Sequence, residues 1–154
     1  MSSKKNKKPN RQFSPAPGRV PRVATELSTG DDLPFQWRTD YMDHDGPFGW
    51  EVLTLREFCI QAVSRLHNLE TMAWGEVLGM THNHSLGWSS VSRKAIQRFE
   101  ELADRLPGCP DETELMSLGF TGHERIVGIR DRKYFYLLWW DPDHQVSPSS
   151  KKHT

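Results

Sequence analysis

Gly122-His123-Glu124-Arg125-Ile126-Val127-Gly128-Ile129-Arg130-Asp131-Arg132-Lys133-Tyr134-Phe135-Tyr136-Leu137-Leu138-Trp139-Trp140-Asp141-Pro142-Asp143-His144 decides the fold. Two apolar runs, about 124–130 and 133–140, flank a charged turn, and an acidic corner follows that ends in a histidine. β-branched and aromatic residues suit a pleated, half-buried surface, so the runs read as paired strands. Arg125, Arg130, Lys133 and His144 sit among them. Such a sheet sets cations and one imidazole beside apolar surface, either as ordinary hairpin decoration or as a surface that handles phosphate.

Upstream the periodicity changes from two to between three and four. Thr54-Leu55-Arg56-Glu57 has the form of a capping box, in which threonine and glutamate satisfy each other's unpaired amides. Behind it Leu55, Phe58, Cys59, Ala62, Val63, Leu66, Leu69 and Met72 recur at helical steps and predict a helix over 55–73. Gly75 and Gly79 break the pattern, and a loop with His82-Asn83-His84 follows. Ser92 is placed to cap a second helix over 93–106, with Ile96, Phe99, Leu102, Ala103 and Leu106 on its buried stripe. Pro107-Gly108-Cys109-Pro110 ends it, and Asp111 caps a short helical turn through Leu118. Phe35–Tyr41 alternates like a strand, Asp43–Gly49 is a turn-rich loop, and 144–147 is open to a further strand. Helices and strands are segregated, which gives an α+β class: a small antiparallel sheet with helices packed on one face and the other face left free.

Only one domain is expected from 154 residues, over 34–148. Residues 1–22 hold seven basic side chains and no acid, and the tail adds Lys151 and Lys152. The neutral total therefore divides into basic ends and a body with 11 basic against 20 acidic residues. Residues 1–33 read as a disordered basic arm and 149–154 as a basic tail. A basic arm points to nucleic acid or an acidic partner, or is simply a solubilising tail. Cys59 and Cys109 form neither a zinc cluster nor a disulfide framework, so a reducing cytoplasm is the simplest home. No stretch approaches the roughly 20 apolar residues of a membrane helix. His82-Asn83-His84, with His44 and Asp45 elsewhere, lacks the second ligand pair that a zinc site needs, so neither metal nor cofactor is expected. Trp139-Trp140 and Tyr134-Phe135-Tyr136 put aromatic rings on both sheet faces. One set is core; the other is core as well, or stacks bases, or meets a partner.

The Arg125-Ile126-Val127-Gly128-Ile129 strand, followed by Phe135–Trp140 and then His144, resembles the RelE/ParE-like superfamily of bacterial toxins. The chain is also similar to a bacterial and phage group sharing the Gly46-Pro47-Phe48-Gly49-Trp50 and Leu138-Trp139-Trp140-Asp141-Pro142-Asp143-His144 segments. The toxin resemblance implies a RelE-like sheet and an endoribonuclease that cleaves mRNA, on the ribosome or free. It also implies a cognate antitoxin as partner. In that reading Arg125, His144 and His123 are catalytic, and Lys94, Arg98 and Arg130 bind nucleic acid. RNA cleavage needs a base for the 2′-hydroxyl proton, an acid for the leaving oxygen and a cation for the phosphate, and imidazole and guanidinium suit those tasks. His84 is a further candidate. Gln145 stands where such toxins place an arginine after the histidine, and the body is acidic. Those departures favour an alternative, a non-catalytic interaction or nucleic-acid-binding module on the same scaffold, phage- or plasmid-borne.

Overall fold

In the computed structural model, which describes residues 30–106, 113–120 and 122–148, the expected hairpin lies at the centre of a five-stranded sheet. The strands are β1 (Gln36–Arg38), β2 (His84–Leu86), β3 (Leu115–Gly119), β4 (Arg125–Asp131) and β5 (Tyr134–Asp141), in the order β1-β5-β4-β3-β2. All neighbours are antiparallel except β1, which runs parallel to β5. Arg132 turns the β4–β5 hairpin with a left-handed φ of 53°. The register slips between Val127 and Gly128, a bulge that glycine permits because a β-carbon there would strike the Tyr136 carbonyl.

The α+β class holds, with a small and mostly antiparallel sheet. The helical pattern at 55–73 becomes α1 (Leu55–Glu57), a π-helical run (Phe58–Val63) and α2 (Ser64–Leu69), continuous with one another. Thr54 and Glu57 form the capping box, at 3.2 and 2.7 Å. The helix stops at Leu69, and a new one, α3 (Trp74–Leu78), starts where Glu76 caps the Ala73 amide at 2.7 Å. Buried Trp74 and Val77 hold α3 in place despite Gly75. The second long helix, α4 (Arg93–Leu102), begins at Ser92 as expected and ends in a 3-10 turn.

Three expectations need correction. The first is the free sheet face. Ile126, Phe135, Leu137 and Trp140 pack with Ala62, Leu66 and Leu69, while Val127, Ile129, Leu138 and Trp139 pack with Ala95 and Leu102 of α4. Both faces are core, so the Trp139-Trp140 pair is buried on either side rather than offered to bases. The second is the helical turn before Leu118. Asp111 and Glu112 lie outside the described residues, and 115–119 is a strand, because pairing with β4 on one side and β2 on the other overrides a short apolar pattern. The third is 144–147, which forms a strap over the α4 face. Val146 is fully buried, its carbonyl accepts from the Ser92 amide at 2.7 Å, and the Ser147 hydroxyl donates to the Ser90 carbonyl at 3.0 Å.

At the other end of the domain, residues 30–33, expected within the arm, form a turn held by Asp31 to Arg130 at 2.7 Å. The rest of the arm (1–29), Cys109 and the whole tail (149–154) lie outside the described residues. The Asp43–Gly49 loop is organised by the Asp43 carboxylate, which accepts from Arg98 Nε (2.9 Å), Arg98 Nη2 (2.7 Å) and Trp139 Nε1 (3.0 Å). The loop then lays Phe48 on Trp139 and Trp50 on Trp140. Among the described residues no helix is long and apolar enough to cross a membrane.

Candidate functional site

Strand alternation places Ser117, Gly119, Arg125, Val127, Trp139 and Asp141 on the α4 face, and register makes two rows of them. His84 pairs with Ser117, Ser117 with Val127, and Val127 with Trp139. One step nearer the sheet's end, Arg125 sits between Gly119 and Asp141. The hydrophobic cluster stops there, and polar residues take over.

Arg125 lies flat over Gly119. A β-carbon on Gly119 would come within 3.0 Å of Arg125 Nε and Cζ, so the missing side chain is what makes room for the guanidinium. Nη1 donates to the Gly122 carbonyl (2.9 Å) and the Glu124 carbonyl (2.8 Å). The residue is only 8% exposed, yet among the described residues no carboxylate is in ion-pair reach of it. Glu124, its neighbour in the chain, turns instead to Arg65 at 2.9 Å. The buried Asp141 carboxylate is spent on the Gln145 amide (2.8 Å) and the Val146 amide (2.9 Å). A pinned cation that lacks a counter-charge is equipped to meet an anion from outside.

His144 reaches the same place through the strap. Asp141 grips the two amides that follow His144, and the chain between them bends through a left-handed φ of 58° at His144. Histidine is among the side chains that tolerate this conformation, and strained backbone persists only where its surroundings hold it. His144 and His84 then line one cleft with Arg125, Ser117, Asp141 and Ser147. The cleft is small and partly open to solvent, with a cavity volume of about 20 Å³, close to the room one water needs. His123 stands just outside. Its ring meets His144 edge-on, 6.4 Å between centroids, and it lines a broader trough with Arg65, Glu124 and Asp143.

The β2 wall is fixed by Asn83, which is buried. Its amide donates to the Val77 carbonyl (2.8 Å) and accepts from the Gly119 amide (3.0 Å), tying the loop before β2 to β3. That tie brings the His82 β-carbon up against Gly119 and sets His84 opposite Ser117.

The expected nucleic-acid set does not assemble here. Arg98 is bound to Asp43, Asp45 and Glu101. The hydrogen bonds that Arg98 donates to Asp43 raise its pKa above the ordinary arginine value. Burial alone would push the Asp43 carboxyl up, but the hydrogen bonds from Arg98 and Trp139 outweigh it and hold the group below the usual range. Arg130 lies near the far end of β4, over the Trp74 ring at 4.3 Å and paired with Asp31. Lys94 is exposed on α4 with its Nζ 5.8 Å from the Phe48 ring. Arg98 and Arg130 thus already have carboxylate partners and stand apart from the cleft that holds Arg125. Among the described residues no three His, Cys, Asp or Glu side chains converge to hold a metal.

Of the expected site residues Arg125 and His144 line one cleft and His123 stands beside it; Ser117 and Asp141, which also line it, were not among those expected. Ser117 fell in a segment read as helical. Asp141 had a usable signal, since aspartate commonly takes the amides that follow it in a turn. No family model, curated protein or solved structure matches the chain.

Proposed function

We propose that the chain is a RelE-like endoribonuclease toxin that cleaves mRNA without a metal and so inhibits translation. The observation that carries this reading is the buried Arg125, without a carboxylate partner among the described residues, in one small cleft with His144. Cleavage joins the 2′-oxygen to phosphorus and breaks the bond from phosphorus to the 5′-oxygen. One group takes the 2′-hydroxyl proton and another gives a proton to the leaving 5′-oxygen. Arg125 neutralises the charge that builds on the phosphate, which is the largest contribution such a site makes. His144 carries one proton transfer, since an imidazole can accept a proton or, once protonated, give one. His123, edge-on to His144, supports that ring from outside. The setting is the cytoplasm, with mRNA as substrate and a protein antitoxin as partner. Lys94, exposed on α4, supplies an outlying contact to the RNA backbone.

The second reading, a non-catalytic nucleic-acid or protein-binding module, is favoured by the acidic body and by the small volume of the cleft. Induction in a bacterial host separates the two. Wild-type protein should arrest growth with fragmented mRNA, and Arg125→Gln and His144→Asn should do neither at equal soluble level. Asparagine tolerates the left-handed backbone of position 144, so that variant tests the imidazole rather than the turn. Normal growth and intact mRNA with soluble wild-type protein would refute the nuclease reading.

A further inference from the structure

We infer that His84 is the second proton-transfer group of this site, facing His144 across the phosphate held by Arg125; the inference rests on the nuclease reading. An in-line displacement has its entering and leaving oxygens on opposite sides of phosphorus, so the base and the acid must flank it. His123 cannot supply the second transfer, because its ring lies against His144 on the same rim and does not line the Arg125 cleft. His84 does line it. It enters from β2, while His144 enters from the strap beyond β5, and β3 and β4 with Ser117 and Arg125 form the floor between them.

Three features keep His84 in that position. β2 pairs His84 with Ser117 through Leu86 with Leu115. Leu86 is buried in the α4-side cluster, and side-chain alternation then directs His84 to the same face. Asn83, next to it, is locked to Val77 and Gly119. The groups around the His84 ring are thus Ser117, Arg125, Asp141 and His144 across the cleft, with His82 beside it on its own loop. The cation, two imidazoles and a hydroxyl face one small space, and Asp141 is turned to backbone amides. In the reaction one imidazole accepts the 2′-hydroxyl proton as the oxygen–phosphorus bond forms. The other, entering as imidazolium, gives its proton to the 5′-oxygen as that bond breaks, so charge and protons balance.

The test is an NMR titration of the histidine side chains of the full chain from pH 5 to pH 8.5, with and without inorganic phosphate. A bound phosphate favours imidazolium. His84 and His144 should both titrate about one pH unit higher with phosphate, in wild type but not in Arg125→Gln. If His144 moves and His84 does not, the assignment of His84 is overturned while the phosphate site stands. If neither moves, the site does not take phosphate, and both readings fall together. In mRNA cleavage, His84→Gln should slow the reaction about 100-fold or more at unchanged thermal stability. It should remove one limb of the pH–rate profile and His144→Asn the other. Loss of the same limb in both variants, or a rate within threefold of wild type for His84→Gln, overturns the inference.

Discussion

Replacing Asp43 by asparagine keeps the shape of the side chain and removes the charge on which the loop from Asp43 to Trp50 is built. The carboxylate side chain is 1% exposed and accepts from Arg98 twice, at 2.9 and 2.7 Å, and from Trp139 once, at 3.0 Å. Asparagine offers one oxygen, and its amide turns donors toward a donor. Removing one partner of a buried pair costs about 3–5 kcal/mol. Arg98 keeps Asp45 (3.2 Å) and Glu101 (3.0 Å) and is 17% exposed, which puts the loss at the lower end, about 3 kcal/mol. For a domain of this size that is a fall in Tm of roughly 10 °C. The pH dependence follows from the lowered Asp43 pKa. A carboxyl with a depressed folded-state pKa contributes stability that is fully present above its unfolded value, near 3.8, and is lost as pH falls through the folded value. The gap between wild type and Asp43→Asn should therefore hold from pH 7 to about pH 5 and shrink below about pH 4. Thermal and urea unfolding followed by circular dichroism at pH 7 and pH 3 measure it. A fall in Tm under 3 °C at pH 7, or a gap that persists unchanged at pH 3, would refute the reasoning.

Three further outcomes follow from single contacts. Gly128→Ala drives a β-carbon into the Tyr136 carbonyl and to 2.6 Å from Phe135 Cζ, where the β4–β5 pairing cannot yield; it should cost about 2–3 kcal/mol in urea unfolding, and an unchanged midpoint would refute it. Arg132→Gly relieves a left-handed φ of 53° at an exposed turn, and should gain about 0.5–1 kcal/mol by thermal melting, whereas a lower Tm would show that the turn was not strained. Asp141→Asn leaves one of two strap amides without its acceptor; it should cost about 1–2 kcal/mol, speed hydrogen exchange at Gln145 and Val146, and lower mRNA cleavage about tenfold or more through a loosened His144.

The hairpin and α4 were legible because their signals are local: alternation and a charged turn for one, a serine cap and an apolar stripe for the other. The strand at 115–119 was not, since Leu115, Met116 and Leu118 become a strand by pairing with β4 and β2, a long-range fact that no window over the sequence contains. Whether the second face was closed stayed open for a related reason. It depends on where α4 docks, and the alternating rings of Trp139 and Trp140 fit an open face equally well until Phe48 and Trp50 are seen against them. At the site, Arg125 and His144 were singled out through the strand and corner that carry the toxin resemblance, and both line one cleft. The acids that hold Arg98 and Arg130, Asp43 and Asp31, are 55 and 99 residues away, beyond what spacing along the chain can show. Spacing shows that a cation is present; only the fold shows whether its charge is already satisfied.

The most direct test of the central claim is to incubate purified wild-type protein and Arg125→Gln with end-labelled mRNA, free and on translating ribosomes, and to map the ends produced. The account predicts internal cuts by the wild type that leave a 5′-hydroxyl and a 2′,3′-cyclic or 3′ phosphate, and intact mRNA with a folded Arg125→Gln. Full-length mRNA after incubation with folded wild-type protein in both settings, or equal cutting by both proteins, would contradict it.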